Sequence, residues 1–363
     1  MTMDSKFVSN VKEQIIHGVV RDIHLSAPVV HVDNQARGRS GHMTHAMLEL
    51  GPGKLLDFNS NCSAIRGNGH SVCGWVEYRY SEDSGETFGE IHEFPYSKAS
   101  LLDGIYTISV EKAVVCDDHT IVALCLRNAG YTHPIWCEPW DTPYVCRSTD
   151  DGLTWSEPVE LCPYPGRIYD AIYKDGSIYV LELCNEHFLG TKPEHQYRIW
   201  KSDDNGISFY EQSVVGIEDT IGLGYGAMAF LSDDRLIVYG YDSNHEEYMP
   251  YAISSDLGKT WTETGKACVS KKIRNPQIGI LDGQYILHGR AGAGSGFVLY
   301  TSADGIHWDE GHYLDTEKGS CYYSNNVIIH PTCPNGKDRM LVQFSEAYEL
   351  ARVNVMHMMI ESC

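Results

Sequence analysis

The sequence predicts an all-β chain folded as a propeller of four-stranded blades. Three observations predict it: one short motif recurs five times, its copies are spaced at blade length, and almost nothing reads as helix. The copies are SEDSGETF at 81–88, STDDGLTW at 148–155, SDDNGISF at 202–209 and SSDLGKTW at 254–261. A fifth, one residue shorter, is SADGIHW at 302–308. In the shared pattern S-x-D-x-G-x-[ST]-[WF], each position has a physical task. The aspartate carboxylate accepts backbone N–H bonds inside a tight turn. The glycine takes positive φ without steric cost. The aromatic ring packs between strands. The motif therefore staples a hairpin and carries no chemistry of its own. The one weak helical pattern lies at residues 4–16.

The first serines fall at 81, 148, 202, 254 and 302, giving intervals of 67, 54, 52 and 48 residues. A period of about 40–50 residues with one hairpin signal per period reads as a four-stranded blade. The long first interval implies an insertion of about a dozen residues. Room for one further blade, without the motif, remains at about residues 310–360, which makes six. The alternating apolar segment at 18–32, with Val19, Val20, Ile23 and Leu25, is the expected strand that closes the ring with the last blade. Residues 1–17 are then an N-terminal extension and residues 18–363 a single propeller domain. The repeat resembles the Asp-box, or BNR repeat, of the sialidase superfamily. That resemblance covers about residues 18–360 and implies a six-bladed, sialidase-like ring.

The chain carries 49 acidic against 28 basic residues. Such an excess argues against nucleic acid and anionic membrane surfaces as partners. An anionic substrate would need locally placed arginines. The first residues lack the apolar core of a secretory signal, and no run is long enough to span a bilayer. Twelve cysteines are scattered without a C-x-x-C spacing. Reduced thiols in the cytoplasm are the expected state. No cofactor and no metal is expected.

In a propeller the innermost strand of each blade lines the axis, and the starts of these strands crowd one mouth. The turns that follow them are read at 51–54, 117–120, 174–177, 232–235, 281–284 and 331–339. Counting about nine residues back from each turn gives the mouth residues. Blade one offers His42 and His45; blade two Tyr106, Ser109 and Glu111; blade three Arg167, Tyr169 and Asp170. Blade four offers Tyr225, blade five Arg274, Asn275 and Gln277, and blade six Tyr322, Tyr323, Ser324 and Asn325. Polar groups converging on one axial cavity are the expected make-up of a site. Strand alternation puts Tyr322 and Tyr323 on opposite faces, and either could point inward.

Tyr323-Ser324 sits where sialidases carry Tyr-Ser. The resemblance implies a tyrosine nucleophile helped by a glutamate, since a carboxylate nucleophile would repel an anionic sugar. Arg167 and Arg274 are candidates to clamp a carboxylate, because guanidinium matches it bidentately. Sialidases use three such arginines, the first in blade one. Here GHMTHAML at 41–48 occupies that position without an arginine. Arg290 or Arg198 could complete a set, though neither falls in the expected register. A histidine on the first inner strand is similar to rhamnosidases, rhamnose–uronic acid lyases and ulvan lyases of the same superfamily. There a histidine or tyrosine serves as acid or base and arginine neutralises the uronate. Imidazole titrates near neutrality and can move a proton either way. As a metal site, His42 and His45 are poorly spaced, since the two rings would point to opposite faces of a strand.

Trp136 and Trp140 lie in a proline-punctuated loop and could stack on a sugar face; a loop-anchoring mini-core fits as well. Glu186 and His187 are reserve acid–base candidates on a second loop. The expected function is cleavage of a terminal glycosidic bond in an oligosaccharide containing uronic or sialic acid. His45 would be acid/base with His42 near it, Tyr323 nucleophile or proton donor, and Glu111 or Asp170 assistants. Arg167 and Arg274 would clamp the carboxylate, with Tyr225, Asn275, Gln277, Tyr322 and the two tryptophans completing the substrate contacts. Lyase chemistry by β-elimination, exo-α-sialidase activity and non-catalytic glycan binding are the alternatives.

Overall fold

The computed structural model describes residues 7–70, 73–104, 106–129, 140–185, 195–292, 295–318 and 321–363. Six antiparallel sheets stand around one axis, and their innermost strands touch in ring order from blade one to blade six and back to blade one. Those strands are Met47–Gly51, Thr107–Val115, Gly166–Lys174, Leu223–Phe230, Arg274–Leu281 and Ser324–Ile329. Each is followed by the turn that the sequence places there. Blades two to five are four-stranded with simple up-and-down order.

Blade six takes strands from both ends of the chain. Ser324–Ile329, Arg339–Glu349 and Arg352–Ser362 come from the C-terminal end, and Ile23–Leu25 pairs outside them. The register is Ile23↔Ser362 and Leu25↔Ile360, with both N-terminal side chains fully buried. Val29–Val32 pairs with the same third strand further along. The closing segment expected at 18–32 therefore supplies two short strands. The described part of the stretch expected as a weak helix is extended instead. Gln14–Ile16 pairs with Ile23–Leu25, Val11 and Ile16 are buried, and Ser9 and Asn10 donate to the Glu346 carboxylate. Tertiary burial of alternate apolar residues overrides a marginal helical preference here.

A helix that the sequence pattern does not announce spans Pro95–Asp103, with Ser97 buried against blade one. The Ser97 hydroxyl accepts from Val76 N at 2.9 Å. This helix and the segment between Asn128 and Tyr144 account for the long first interval.

The five motifs sit at the turn after the third strand of blades one to five. In the third copy, Ser202 Oγ donates to Asp204 Oδ1 at 2.8 Å and accepts from Gly206 N at 2.9 Å. Asp204 Oδ1 accepts in turn from Ser208 N at 2.9 Å. Gly206 has φ +76°, and an added Cβ would come within 2.8 Å of Val122. The motifs also join blades. Tyr78 and Tyr80 of blade one donate to the carbonyls of Gly152 and Asp151 in the blade-two motif, and Arg147 of blade two donates to Asn205 O in the blade-three motif. Trp155 packs against Phe58 and Phe94 of the preceding blade at 5.9 and 5.0 Å.

Ser202→Ala removes a buried hydroxyl that is at once donor and acceptor. We expect a loss of about 1–3 kcal/mol, read from urea unfolding followed by tryptophan fluorescence. An unchanged midpoint would show that the serine is dispensable to the staple.

Candidate functional site

Bulges aim the site residues. The pairing of first and second strands slips between Ile168 and Asp170, between Gly224 and Gly226, and between Arg274 and Gln277. A bulge leaves a residue unpaired and redirects its side chain. The residues so released are Tyr169, Tyr225 and the Asn275–Pro276 pair. Tyr225 and Asn275 have φ of 49° and 58°, and Tyr322, just before the last inner strand, has φ of 40°. Left-handed backbone at bulky residues is costly and concentrates at functional sites.

The centre of the mouth is a pair of tyrosines. The hydroxyls of Tyr225 and Tyr323 lie 3.0 Å apart. The Arg290 guanidinium stands 5.0 Å from the Tyr323 ring centre and donates to the Tyr225 hydroxyl at 3.5 Å. Arg274 lies 5.5 Å from the Tyr225 ring and 5.7 Å from the Tyr241 ring. Burial pushes the Tyr225 phenol up, but Arg290, Arg274, the hydrogen bond with Tyr323, and Arg167 outweigh it, and its pKa falls below the ordinary value. Burial works against the Arg290 charge, yet Tyr323 and Tyr225 raise its pKa overall. Tyr169, edge-on to Tyr225 at 5.6 Å, is held well above the usual range by burial.

His42 completes this cluster. Its ring lies 4.6 Å from Tyr323 and 4.3 Å from His70. It is 2% exposed, and neither ring nitrogen has a hydrogen-bond partner among the described residues. Burial, then His70, Arg290, His45 and Arg167, hold its pKa well below the ordinary value.

Beneath the mouth is a small axial cavity of about 30 Å³, bordered by His45, Glu111, Arg167, Asn275, Gln277 and Tyr323 among others. Arg167 is paired with Glu111 through two contacts to one oxygen, at 2.8 and 3.1 Å. His45 Nδ1 bonds Gln343 Oε1 at 3.0 Å, and burial lowers its pKa to about 4 against the opposing effect of that bond. Below the cavity the Lys112 ammonium crosses the axis. It bonds Gln277 Oε1 at 2.6 Å and Asn325 Oδ1 at 2.8 Å, and pairs with Asp170 at 3.2 Å.

The structure thus gathers His42, His45, Glu111, Arg167, Tyr225, Arg274, Asn275, Gln277 and Tyr323 at or under one mouth. Three expectations need correction. Tyr322 is fully buried between blades five and six, stacked on Phe297 at 5.1 Å with its hydroxyl on Asp315, so Tyr323 is the inward member. Asp170 borders the funnel at the opposite end of the axis, where it holds Lys112 and accepts from Met228 N at 2.9 Å. Trp140 is 5% exposed, bridged to Asn128 and edge-on to Tyr169 at 6.4 Å, which makes it a core anchor and not a sugar platform. Trp136, Glu186 and His187 lie outside the described residues. Arg198 pairs with Glu211 on the outer strands of blade three.

Arg290 is the residue whose place sequence register misjudged. It ends the second strand of blade five, directly opposite Arg274 across the hairpin. The signal was available: the end of a second strand returns to the same mouth as the start of the first. Tyr241, at the end of the second strand of blade four, follows the same rule.

No family model and no curated protein matches the sequence. Solved structures do match. A Dyadobacter fermentans protein described as of unknown function aligns with a TM-score of 0.73 at 15% identity, over 94% of this chain and 99% of its own. A Hadza microbial sialidase aligns at 0.67 and 15%, over 92% of this chain and 68% of its own. The fold is that of the sialidase-type six-bladed propellers. An intramolecular trans-sialidase from Ruminococcus gnavus, solved with oseltamivir carboxylate, aligns at 0.58 and 10%, over 95% and 98% of the two chains.

Positive charge around Tyr225 favours its phenolate, so that form should appear at lower pH than in an ordinary tyrosine. Ultraviolet titration of the folded protein should show one early-ionising phenol that is absent in Tyr225→Phe. Arg290→Met should move it to higher pH. A titration unaltered by Tyr225→Phe would remove the assignment.

Proposed function

We propose that the chain is a glycosidase that cleaves the terminal bond of an oligosaccharide ending in an acidic sugar. The observation that carries this reading is the Tyr225–Tyr323 hydroxyl pair set among arginines. A tyrosine whose proton can pass to a neighbouring, easily ionised phenol is an activated nucleophile. The likeness to sialidases and a trans-sialidase supports a carbohydrate-active propeller; the residue roles rest on geometry and charge.

In this reading Arg274 and Arg290 hold the sugar carboxylate. Tyr225 acts as its phenolate: Tyr323 Oη attacks the anomeric carbon while its proton passes to the Tyr225 phenolate oxygen. The leaving oxygen takes a proton from His42, whose ring nitrogens have no hydrogen-bond partner among the described residues. Arg290 and Arg167 both depress the His42 pKa. A bound carboxylate offsets their charge and raises it, so substrate helps to load the acid. Water then cleaves the glycosyl–tyrosine bond, with His42 as base. Glu111 takes up the charge of Arg167 and fixes its place.

One observation favours a second reading, β-elimination at a uronate. A phenol of lowered pKa at Tyr225 can serve as the base that removes a ring proton, with His42 again protonating the leaving oxygen.

The test is a product assay on sialosides and on uronic acid oligosaccharides capped with rhamnose or hexose. New reducing sugar without unsaturated-uronate absorbance supports hydrolysis; that absorbance supports elimination. Tyr323→Phe should lower kcat by about 10²–10⁴-fold with little change in KM. Binding without turnover on every substrate would leave only a glycan-binding propeller.

A further inference from the structure

We propose that His31, Asp57, Gln343 and His357 form a binding site for a first-row divalent metal ion at the seam between blades six and one. His31 comes from the short strand Val29–Val32, Asp57 from the second strand of blade one, and Gln343 and His357 from the second and third strands of blade six. His31 Nε2 lies 2.6 Å from Asp57 Oδ2. Gln343 Nε2 lies 3.0 Å from both Asp57 Oδ2 and His357 Nε2. Donor atoms of His31, Asp57 and His357 all fall within 4.8 Å of one another.

Burial and bonding point to a ligand. The Asp57 side chain is 1% exposed and that of His31 5%. Asp57 Oδ1 has no hydrogen-bond partner among the described residues. A buried carboxylate oxygen left unbonded is costly, and an ion or a water would satisfy it.

The donor set selects the ion. Two imidazole nitrogens, a carboxylate and an amide oxygen suit Zn²⁺ and its first-row neighbours, not Ca²⁺ or Mg²⁺. Asn59 Nδ2 supports Asp57 at 3.2 Å, and the Phe88 ring covers both imidazoles at 4.5 and 5.0 Å. His357 also borders a surface cleft of about 330 Å³ whose wall includes Glu86, Glu361 and the Arg339 paired with both. On binding, His31 must turn its Nε2 lone pair to the metal, so its ring proton sits on Nδ1 and the metal replaces the His31–Asp57 hydrogen bond. The rings of His31 and His357 are stacked with centres 3.8 Å and planes 10° apart, so binding requires the two imidazoles to rotate apart until both lone pairs meet at the ion.

One consequence reaches the axial cavity. For Gln343 to offer its oxygen to the metal its amide must turn, and its N–H₂ then donates to His45 Nδ1. The His45 proton moves to Nε2, which has no partner among the described residues. Metal would thus change the His45 nitrogen facing the cavity from a hydrogen-bond acceptor into a donor.

The test uses the full chain, freed of metal with a chelator and alkylated at its exposed cysteines. Co²⁺ is titrated in and then displaced with Zn²⁺. We expect one equivalent per chain, d–d absorption without sulfur charge transfer, and a rise in melting temperature. His357→Gln and Asp57→Asn should each weaken binding by at least about 100-fold, while Gln343→Glu, which adds a charged donor, should tighten it. Near-ultraviolet circular dichroism shows whether each variant folds; where one does not, the wild-type titration decides alone. No binding, sulfur charge transfer, or undiminished affinity in a folded His357→Gln or Asp57→Asn overturns the site.

Discussion

Closure of the ring is the constraint on which the rest of this structure depends. A propeller whose last blade is incomplete would leave an open sheet edge and a gap beside the first blade. Here a three-residue strand, Ile23–Leu25, zips onto Ile360–Ser362 and buries its two apolar side chains completely. The same seam carries the bonded chain from His45 through Gln343 to Asp57 and His31. Because the mouth draws its side chains from every blade, their mutual distances hold only while the ring is shut.

The mouth also resolves an electrostatic conflict. The chain has a formal net charge of −21, yet Arg167, Arg274 and Arg290 meet at one end of its axis. Each is held differently. Glu111 largely offsets Arg167, whereas Arg274 and Arg290 face aromatic rings and hydroxyls. Two guanidinium charges facing ionisable phenols in a desolvated pocket are worth more than they would be in water. That favours an anionic ligand and an ionised Tyr225 by the same field. Lys112 supplies a further positive charge below, locked by Asp170, Gln277 and Asn325, so the axis is plugged by protein.

Much of the fold was legible because its signals are local. A serine, an aspartate and a glycine within five residues make a staple wherever they occur, and five staples at blade spacing imply a ring. Tyr323, Arg167 and Arg274 were legible for a related reason, since strand length and the following turn place a residue at one mouth. The helix Pro95–Asp103 was not, having a weak amphipathic pattern and only Ser97 buried. Nor was the inward choice between Tyr322 and Tyr323, because positive φ at Tyr322 breaks the simple alternation of a strand.

By itself, then, the sequence determined the repeat, the blade spacing, the closing segment and the polar lining of the inner strands. Each follows from turn chemistry and two-residue periodicity, which act over a few positions. Tertiary structure alone decided that Arg290 joins Arg274, that Trp140 anchors the core, that Asp170 faces the far end, and that His31, Asp57, Gln343 and His357 meet. The last four residues span separations of 26, 286 and 14 along the chain. No local preference encodes such a meeting; it exists only once bulges have turned the strands and the two ends of the chain share one sheet.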